Sequence, residues 1–342
     1  MIKIGSHLWI LSFLISLVIN VVGIKAIIPF LISKKIIDLP NKRSSHIIPT
    51  PKGAGIVIVL SFVLMYHLFL DLNDYFFSFT IIFLAIISLI NDLKQLPAII
   101  RFLSHIIATS ILLFLWPYIK EVYILSSLMP PWAENTLIFI LILWFINLFN
   151  FMDGIDGISG TQCIILGIGS MLSMFLLEKE SSLILFIAGF LTGSGLAFLF
   201  WNWNPAKVFL GDVGSIPMGL ISAVLMVLLC KNNLWFSAII LCNYYLIDAT
   251  ATLFKRMLKK KILWKAHNEH FYQIAIQNGK SHSDVCKAIG FHGAIMIFLV
   301  SISSYLYSNT IIIICLALSI LSTIMLILYF LYQRKTPDLT NE

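Results

Sequence analysis

The sequence is poor in charge. Of its 342 residues only 11% are Asp, Glu, Lys or Arg, while 59% are hydrophobic; a soluble domain carries about 25% charged residues. That shortage excludes an ordinary water-soluble enzyme and implies a polytopic membrane protein. Cysteine is scarce as well. The five (Cys163, Cys230, Cys242, Cys286 and Cys315) have no metal-ligand spacing and mostly fall inside apolar runs, so they read as packing residues, not as a redox or zinc centre. The chain also lacks an internal repeat, a low-complexity tract and a stretch suited to a separate soluble unit, so residues 1–342 read as one transmembrane domain. The first apolar run, about 8–32, has no small-residue cleavage site and is long enough to span. It reads as a first transmembrane helix, not a leader.

What the chain has in abundance is long apolar runs. They fall near 8–32, 55–70, 76–91, 98–118, 136–152, 157–177, 182–201, 215–230, 234–254, 288–307 and 310–332. The expected fold is therefore all-α, with about eleven transmembrane helices. The net charge of +7 does not signal nucleic acid here, because in a membrane protein the sidedness of the positive residues is what matters. One set of alternate loops collects Lys34, Lys35, Lys42, Arg43, Lys52, Lys94, Arg101, Lys207, the Lys/Arg-rich segment 255–287 and the Arg334-Lys335 pair. By the positive-inside rule that side is cytoplasmic, which sets the N-terminus outside and the C-terminus inside. The polar, Gly- and Pro-rich stretches were not used to fix that topology. All of them nevertheless fall on the same side, in loops 33–54, 91–98, 150–160, 201–215 and 255–287.

Five of these stretches carry candidate chemistry. NFMDGIDGISG follows an apolar run and supplies Asn150, Asp153 and Asp156; carboxylates at the mouth of a membrane helix are costly unless they meet a cation or each other, although an Asp there can also cap the next helix. VFLGDVGS offers Asp212 and Ser215 at a helix start. That position suits an anion or a phosphate-bridging cation, and it equally suits an N-cap. INDLKQL puts Asn91 and Asp92 at a helix end; the amide can bind a ligand but cannot act as a base at neutral pH. AHNEHFYQ spaces His267 and His270 three apart in the most basic loop, a pair that could bind a metal or, in that Lys/Arg-rich setting, hydrogen-bond phosphates and sugar hydroxyls. RSSHIIPTPKGAG brings Arg43, His46 and Lys52 into a defined loop, either a cationic collar or a plain positive-inside loop facing anionic lipid. Lys207 belongs with the Asp212 stretch. Asp248, inside an otherwise apolar helix, is an intramembrane acid with Lys255 as a candidate partner.

Taken in order, these stretches resemble the polyprenyl-phosphate N-acetylhexosamine-1-phosphate transferases, the family that includes the phospho-N-acetylmuramoyl-pentapeptide transferase. The resemblance covers nearly the whole chain. DATATLFKRM followed by AHNEHFYQ looks most like the branch that initiates O-antigen and related surface polysaccharides. The resemblance implies a bacterial inner-membrane enzyme with a cytosol-facing cleft and a Mg2+ or Mn2+ cofactor. Its reaction would move an N-acetylaminosugar 1-phosphate from a UDP-sugar to undecaprenyl phosphate, releasing UMP. Partners are then undecaprenyl phosphate, a UDP-N-acetylaminosugar and the lipid bilayer, with no nucleic acid and with a homodimer left open.

Carried over by position, Asp92, Asp156 and Asp212 match metal-side aspartates, and Asn91, Asp92, Asp212, His267 and His270 fall at catalytic positions. Arg43, His46, Lys52, Asn150, Asp153, Asp156, Lys207 and Ser215 fall on the substrate-binding side. The chain departs from the family at Asn91, where Asp is usual, and at Gly53-Ala54-Gly55, where consecutive glycines are usual. The first departure does not by itself remove catalysis. A phosphate monoester has a second pKa of about 6, so a lipid phosphate is largely dianionic already. The other readings are a member impaired by Asn91 and, from a different class, a secondary transporter, because intramembrane acids also mark ion pathways.

Overall fold

The computed structural model describes residues 4–40, 47–70, 75–120, 129–262 and 267–333. Every one of the eleven apolar runs forms a helix. In chain order these are α1 (Ile4–Ser33), α2 (Gly55–Leu70), α3 (Phe76–Lys94), α4 (Ala98–Leu115), α6 (Pro131–Met152), α7 (Ile158–Leu176), α8 (Ser182–Asn202), α9 (Asp212–Lys231), α10 (Trp235–Leu258), α12 (His282–Leu306) and α13 (Asn309–Leu331). Two short helices lie between them, α5 (Pro117–Lys120) and α11 (Phe271–Gln277). A two-residue pair, β1 (Ile37–Asp38) and β2 (Thr50–Pro51), is antiparallel.

Ten of these helices are long and apolar enough to cross a membrane, which makes the chain a multi-pass membrane protein. The exception is α2, which at 16 residues is about 24 Å long, shorter than the ~30 Å hydrocarbon core. The helix ends differ from the apolar runs for local reasons. The run 98–118 breaks at Trp116 because Pro117 opens a new helix. α6 begins five residues before its apolar run, with Pro131 in its first turn. α12 begins at His282, where Ser281 and Asp284 form a capping box; hydropathy finds the apolar interior of a helix and passes over its polar first turn.

The bundle is centred on α9, whose apolar window is 94% buried, against 22% for α1. Without a hydrophobic force between helices in lipid, close approach depends on small residues. On α8, Gly189 and Gly193 face α1, and a Cβ at either would lie 2.1 or 2.0 Å from the hydroxyls of Ser12 and Ser16. Gly55 of α2 meets Gly214 of α9 so closely that a Cβ on Gly55 would stand 2.1 Å from the Gly214 Cα.

That second contact also positions the loop before α2. Lys52 bridges Phe209 in parallel. The Gly53 and Ala54 amides donate to the Phe209 carbonyl (3.0 and 3.1 Å), and the Gly55 amide donates to that of Leu210 (3.0 Å). The loop is thereby fixed beside the start of α9. The last turns of α3 and α6, the end of α8 and the starts of α4, α7, α9 and α12 meet at this one end of the bundle, as the sequence expects of its polar stretches.

Candidate active site

A cavity of about 310 Å³ opens at this end, and its lining includes Asp38, Lys52, Asn150, Asp153, Asp156, Asp212, Gln273 and His282. The start of α9 forms one wall. Asp212, its first residue, accepts from Asn91 Nδ2 through Oδ2 (2.6 Å) and from Asn150 Nδ2 through Oδ1 (3.1 Å). Asn150 also donates to the buried Ser215 hydroxyl (2.8 Å). Arg101 of α4 brings its guanidinium to 3.6 Å from Asp212 Oδ2, while its Nε is buried without a partner.

Asp92 plays a different part from Asp212. Its Oδ1 accepts from the Asp212 amide (3.2 Å) and its Oδ2 from the Val213 amide (3.0 Å). It therefore caps α9 from another helix, satisfying backbone donors that the helix cannot pair itself. Lys52 Nζ lies 3.1 Å from Asp92 Oδ1. Burial alone would lower the Lys52 pKa, but the charge and hydrogen bond of Asp92 outweigh it and hold it above the usual value, so Lys52 is a standing cation. Gly211, at φ +75°, lets the chain turn into α9, and a Cβ there would sit 2.8 Å from Asp92 Oδ2.

Asp153 and Asp156 differ in charge state. Burial pushes the Asp153 carboxyl up to about 7, against a hydrogen bond from the Ser159 hydroxyl that favours the anion and with repulsion from Asp212 and Asp92 adding to the rise; that bond to Oδ1 is 2.5 Å. Asp156 is also penalised by burial, but hydrogen bonds from His282, Asn204 and the Ala206 amide hold its pKa below the ordinary value. The DGIDG turn therefore presents one ionised carboxylate and one poised near neutrality.

A stability consequence follows for Asp153. Between its unfolded pKa of about 3.9 and its folded value of about 7, the folded chain binds more protons than the unfolded one. Stability then falls as pH rises through that window and levels off above it. The thermal midpoint of the detergent-solubilised protein is expected to drop from pH 5 to pH 8 by more in the unmodified chain than in Asp153→Asn; equal drops would refute the burial of an ionisable Asp153.

The histidine loop is arranged differently from the expectation. His270 is buried and its Nδ1 lies 3.0 Å from Asp248 Oδ1. Asp248, fully buried, also accepts from the Phe271 and Tyr272 amides and from the Tyr244 and Thr252 hydroxyls. The intramembrane acid is thus paired with His270 and the start of α11, not with Lys255. His267 packs its ring 4.9 Å from that of His270. Burial, then the neighbouring His270, lowers its pKa to about 4, so it is neutral at pH 7. Of the described residues in segment 255–287, Gln273 and His282 line the cavity; His267 and His270 do not. Lys207 is exposed, with its ammonium 5.3 Å from the Trp201 ring centre. Arg43 and His46 lie outside the described residues.

Three residues at the site carry no motif: Arg101 reads as a topogenic charge, although an Arg four residues into an apolar helix is itself a signal, Asp38 stands in a basic loop, and His282 has no pattern to set it apart. Gln273 closes the AHNEHFYQ stretch and is the described residue of that stretch that lines the cavity.

Among the described residues no group of three or more His, Cys, Asp or Glu side chains gathers as a metal cage. The donor set nevertheless suits magnesium. That ion is commonly held by one or two carboxylates together with substrate phosphates and water, and Asp212, 24% exposed at the cavity wall, offers such a carboxylate. Asp92 and Asp156 are each engaged by protein donors, Asp92 by α9 and Lys52 and Asp156 by Asn204, Ala206 and His282.

Residues 75–230, which hold Asn91, Asp92, Asn150, Asp153, Asp156 and Asp212, match the profile of glycosyl transferase family 4. Over that stretch the chain is similar to the family. The chain is also similar to the probable undecaprenyl-phosphate N-acetylglucosaminyl 1-phosphate transferase of Bacillus subtilis, 26% identical over 321 residues, covering 90% of this chain and 86% of its own. The phospho-N-acetylmuramoyl-pentapeptide-transferase of Dictyoglomus thermophilum is 29% identical over 242 residues, 66% of this chain and 74% of its own. A protein of the same name from a Wolbachia is 37% identical over 93 residues, 27% and 28% of the two chains. Lys52 and the 267–282 segment lie outside the family profile, so the wall they contribute to the cavity comes from beyond the matched core.

Proposed function

We propose that this chain is a member of glycosyl transferase family 4 and that it transfers an N-acetylaminosugar 1-phosphate from a UDP-sugar to undecaprenyl phosphate, releasing UMP, as the first membrane step of a surface polysaccharide. The observation that carries the reading is the cavity itself. A carboxylate suited to magnesium (Asp212), a standing cation (Lys52) and an ionised carboxylate (Asp156) share a wall-to-wall space of about 310 Å³ at the end of a membrane bundle. The named activities of the relatives support the same chemistry.

In this reading a lipid phosphate oxygen forms a bond to the phosphorus that bears the sugar, and the bond from that phosphorus to the bridging oxygen breaks, with UMP leaving. Because the lipid phosphate is already mostly dianionic at pH 7, no side chain has to act as a strong base, which suits a chain with Asn at position 91. The divalent ion, held at Asp212 when bound, supplies charge neutralisation for the diphosphate. Lys52 screens the incoming phosphate. Arg101, beside Asp212, offsets that carboxylate's charge, and the Asn91 and Asn150 amides keep it oriented. Arg43 is a sequence-based candidate for a further phosphate contact. Asp156 faces the nucleoside, and Asp153 accommodates the change in local charge by losing its proton. In this reading the end bearing the cavity faces the cytoplasm at a bacterial inner membrane, with the N-terminus outside; the excess of Lys and Arg in the loops on that side supports it.

Radiolabel transfer from UDP-N-acetylaminosugars to butanol-extractable lipid in isolated membranes tests the reading. Transfer is expected from at least one donor and is expected to depend on added undecaprenyl phosphate. Failure with UDP-N-acetylglucosamine, UDP-N-acetylgalactosamine and a 6-deoxy analogue alike would count against it.

A further inference from the structure

His282 is the only histidine among the described residues that lines the cavity, and it does so from the first turn of α12. That turn does not need the imidazole to hold it. Ser281 Oγ accepts from the Asp284 amide (3.1 Å) and the Asp284 carboxylate accepts from the Ser281 amide (3.4 Å), which completes a capping box. The imidazole is directed instead at Asp156. Its Nδ1 holds Asp156 in either tautomer: protonated, it donates to Asp156 Oδ1 at 3.3 Å, and bare, it accepts from the Asp156 amide at 3.3 Å. One helical turn further on, Cys286 Sγ donates to the Asp156 carbonyl (2.9 Å).

From the other side, Asp156 Oδ2 takes both Asn204 Nδ2 (2.8 Å) and the Ala206 amide (3.2 Å). The two carboxylate oxygens are therefore not equivalent. Oδ2 is filled by two protein donors, whereas Oδ1 meets the imidazole alone among the described residues. A carboxylate oxygen has room for about two donors, so Oδ1 retains capacity for a ligand N–H or O–H. Clamps from α12 and from the segment after α8 leave the carboxylate one orientation, and α12 supplies its backbone clamp as well.

We infer that His282 is a positioning residue for the nucleoside half of the donor: it fixes Asp156 so that Oδ1 meets the N–H or O–H groups of a nucleotide in the cavity. The inference rests on the UDP-sugar reading above. Such a residue acts on donor binding and leaves the lipid substrate alone, because it works through Asp156 while Lys52 screens the incoming phosphate.

The test uses purified full-length protein, with UMP binding by equilibrium dialysis and transfer kinetics with UDP-N-acetylglucosamine or whichever donor proves active. His282→Leu is expected to raise both the donor KM and the UMP Kd by about tenfold, equivalent to ~1.4 kcal/mol, with the KM for undecaprenyl phosphate changed by less than about twofold. His282→Asn sets an amide near the Nδ1 position and is expected to recover UMP affinity to within about threefold of the unmodified chain. His282→Gln, with its amide near Nε2, is expected to behave like the leucine variant and replaces it if that variant does not fold. UMP affinity unchanged in both Leu and Gln variants, or Asn as impaired as Gln at equal thermal midpoints, would overturn the inference. An unmodified chain that binds UMP but transfers from no UDP-sugar overturns the transferase reading, and the Kd series then decides His282 by itself. An unmodified chain that does not bind UMP overturns both.

Discussion

Asp212→Asn is expected to reduce transfer by about 10³-fold, the scale on which removing one preorganised charge contact to a transition state acts, while leaving the protein folded. Both halves of that expectation come from the division of labour at the start of α9. The helix is capped by Asp92, through the Asp212 and Val213 amides, so the Asp212 side chain is not what holds the helix end. Asp212 faces the cavity with 24% of its side chain exposed, against 3% for Asp92 and 6% for Asp156, so of these three carboxylates it is the most open to a phosphate-bound ion. An amide keeps the size and one acceptor but not the charge. Transfer assays beside thermal midpoints in detergent check the result: a variant that keeps more than about a tenth of kcat would show that the charge at this position is dispensable. A collapse of the midpoint together with activity would show that it is structural.

The second large effect is expected from Asn91→Asp. In the unmodified chain Asn91 Nδ2 donates to Asp212 Oδ2 at 2.6 Å, and Asn91 Oδ1 accepts from the Leu96 amide at 2.8 Å. An aspartate can still accept from Leu96, but its other oxygen then stands against the Asp212 carboxylate where a hydrogen bond was. Two carboxylates at that separation cannot both stay ionised without a cation between them. With chelator present the variant is expected to melt lower than the unmodified chain, on the order of 5 °C for a loss of one to two kcal/mol. Added Mg2+ is expected to restore it, with the concentration for half-maximal activity falling by about tenfold as the second acid joins the site. Identical metal titrations and midpoints would sink the idea that Asn91 stands in for a cation at Asp212. The same pair of proteins addresses impairment: transfer by the unmodified chain removes the inactive-member reading, and activity appearing only in Asn91→Asp supports it.

Much of the architecture was legible because a membrane imposes it. Each apolar run had to become a helix, since no other element satisfies its own backbone in lipid, and the ends were misread only where a proline or a capping box extended a helix beyond its apolar part. The acids at the mouths of α6, α7 and α9 stood out for the same reason: a carboxylate beside an apolar run demands an explanation. Their partners did not stand out. Nothing in INDLKQL says that Asp92 caps a helix 120 residues away, and nothing in AHNEHFYQ says that His270 turns inward to an acid on the previous helix. Those pairings are set by how helices cross, which no local pattern encodes. Arg101 and His282 were overlooked because each looked ordinary, one a charge near a membrane surface and the other a lone histidine next to a serine.

The cap on α9 also bears on how the chain is made. Lys52 and Asp92 both lie within the first hundred residues, and the helix whose amides Asp92 accepts begins 120 residues further on, at Asp212. Both members of the pair are therefore synthesised before the donors they serve, and the acidic wall of the cavity, where Asp212 meets Asn91 and Asn150, is complete only once α9 is in place.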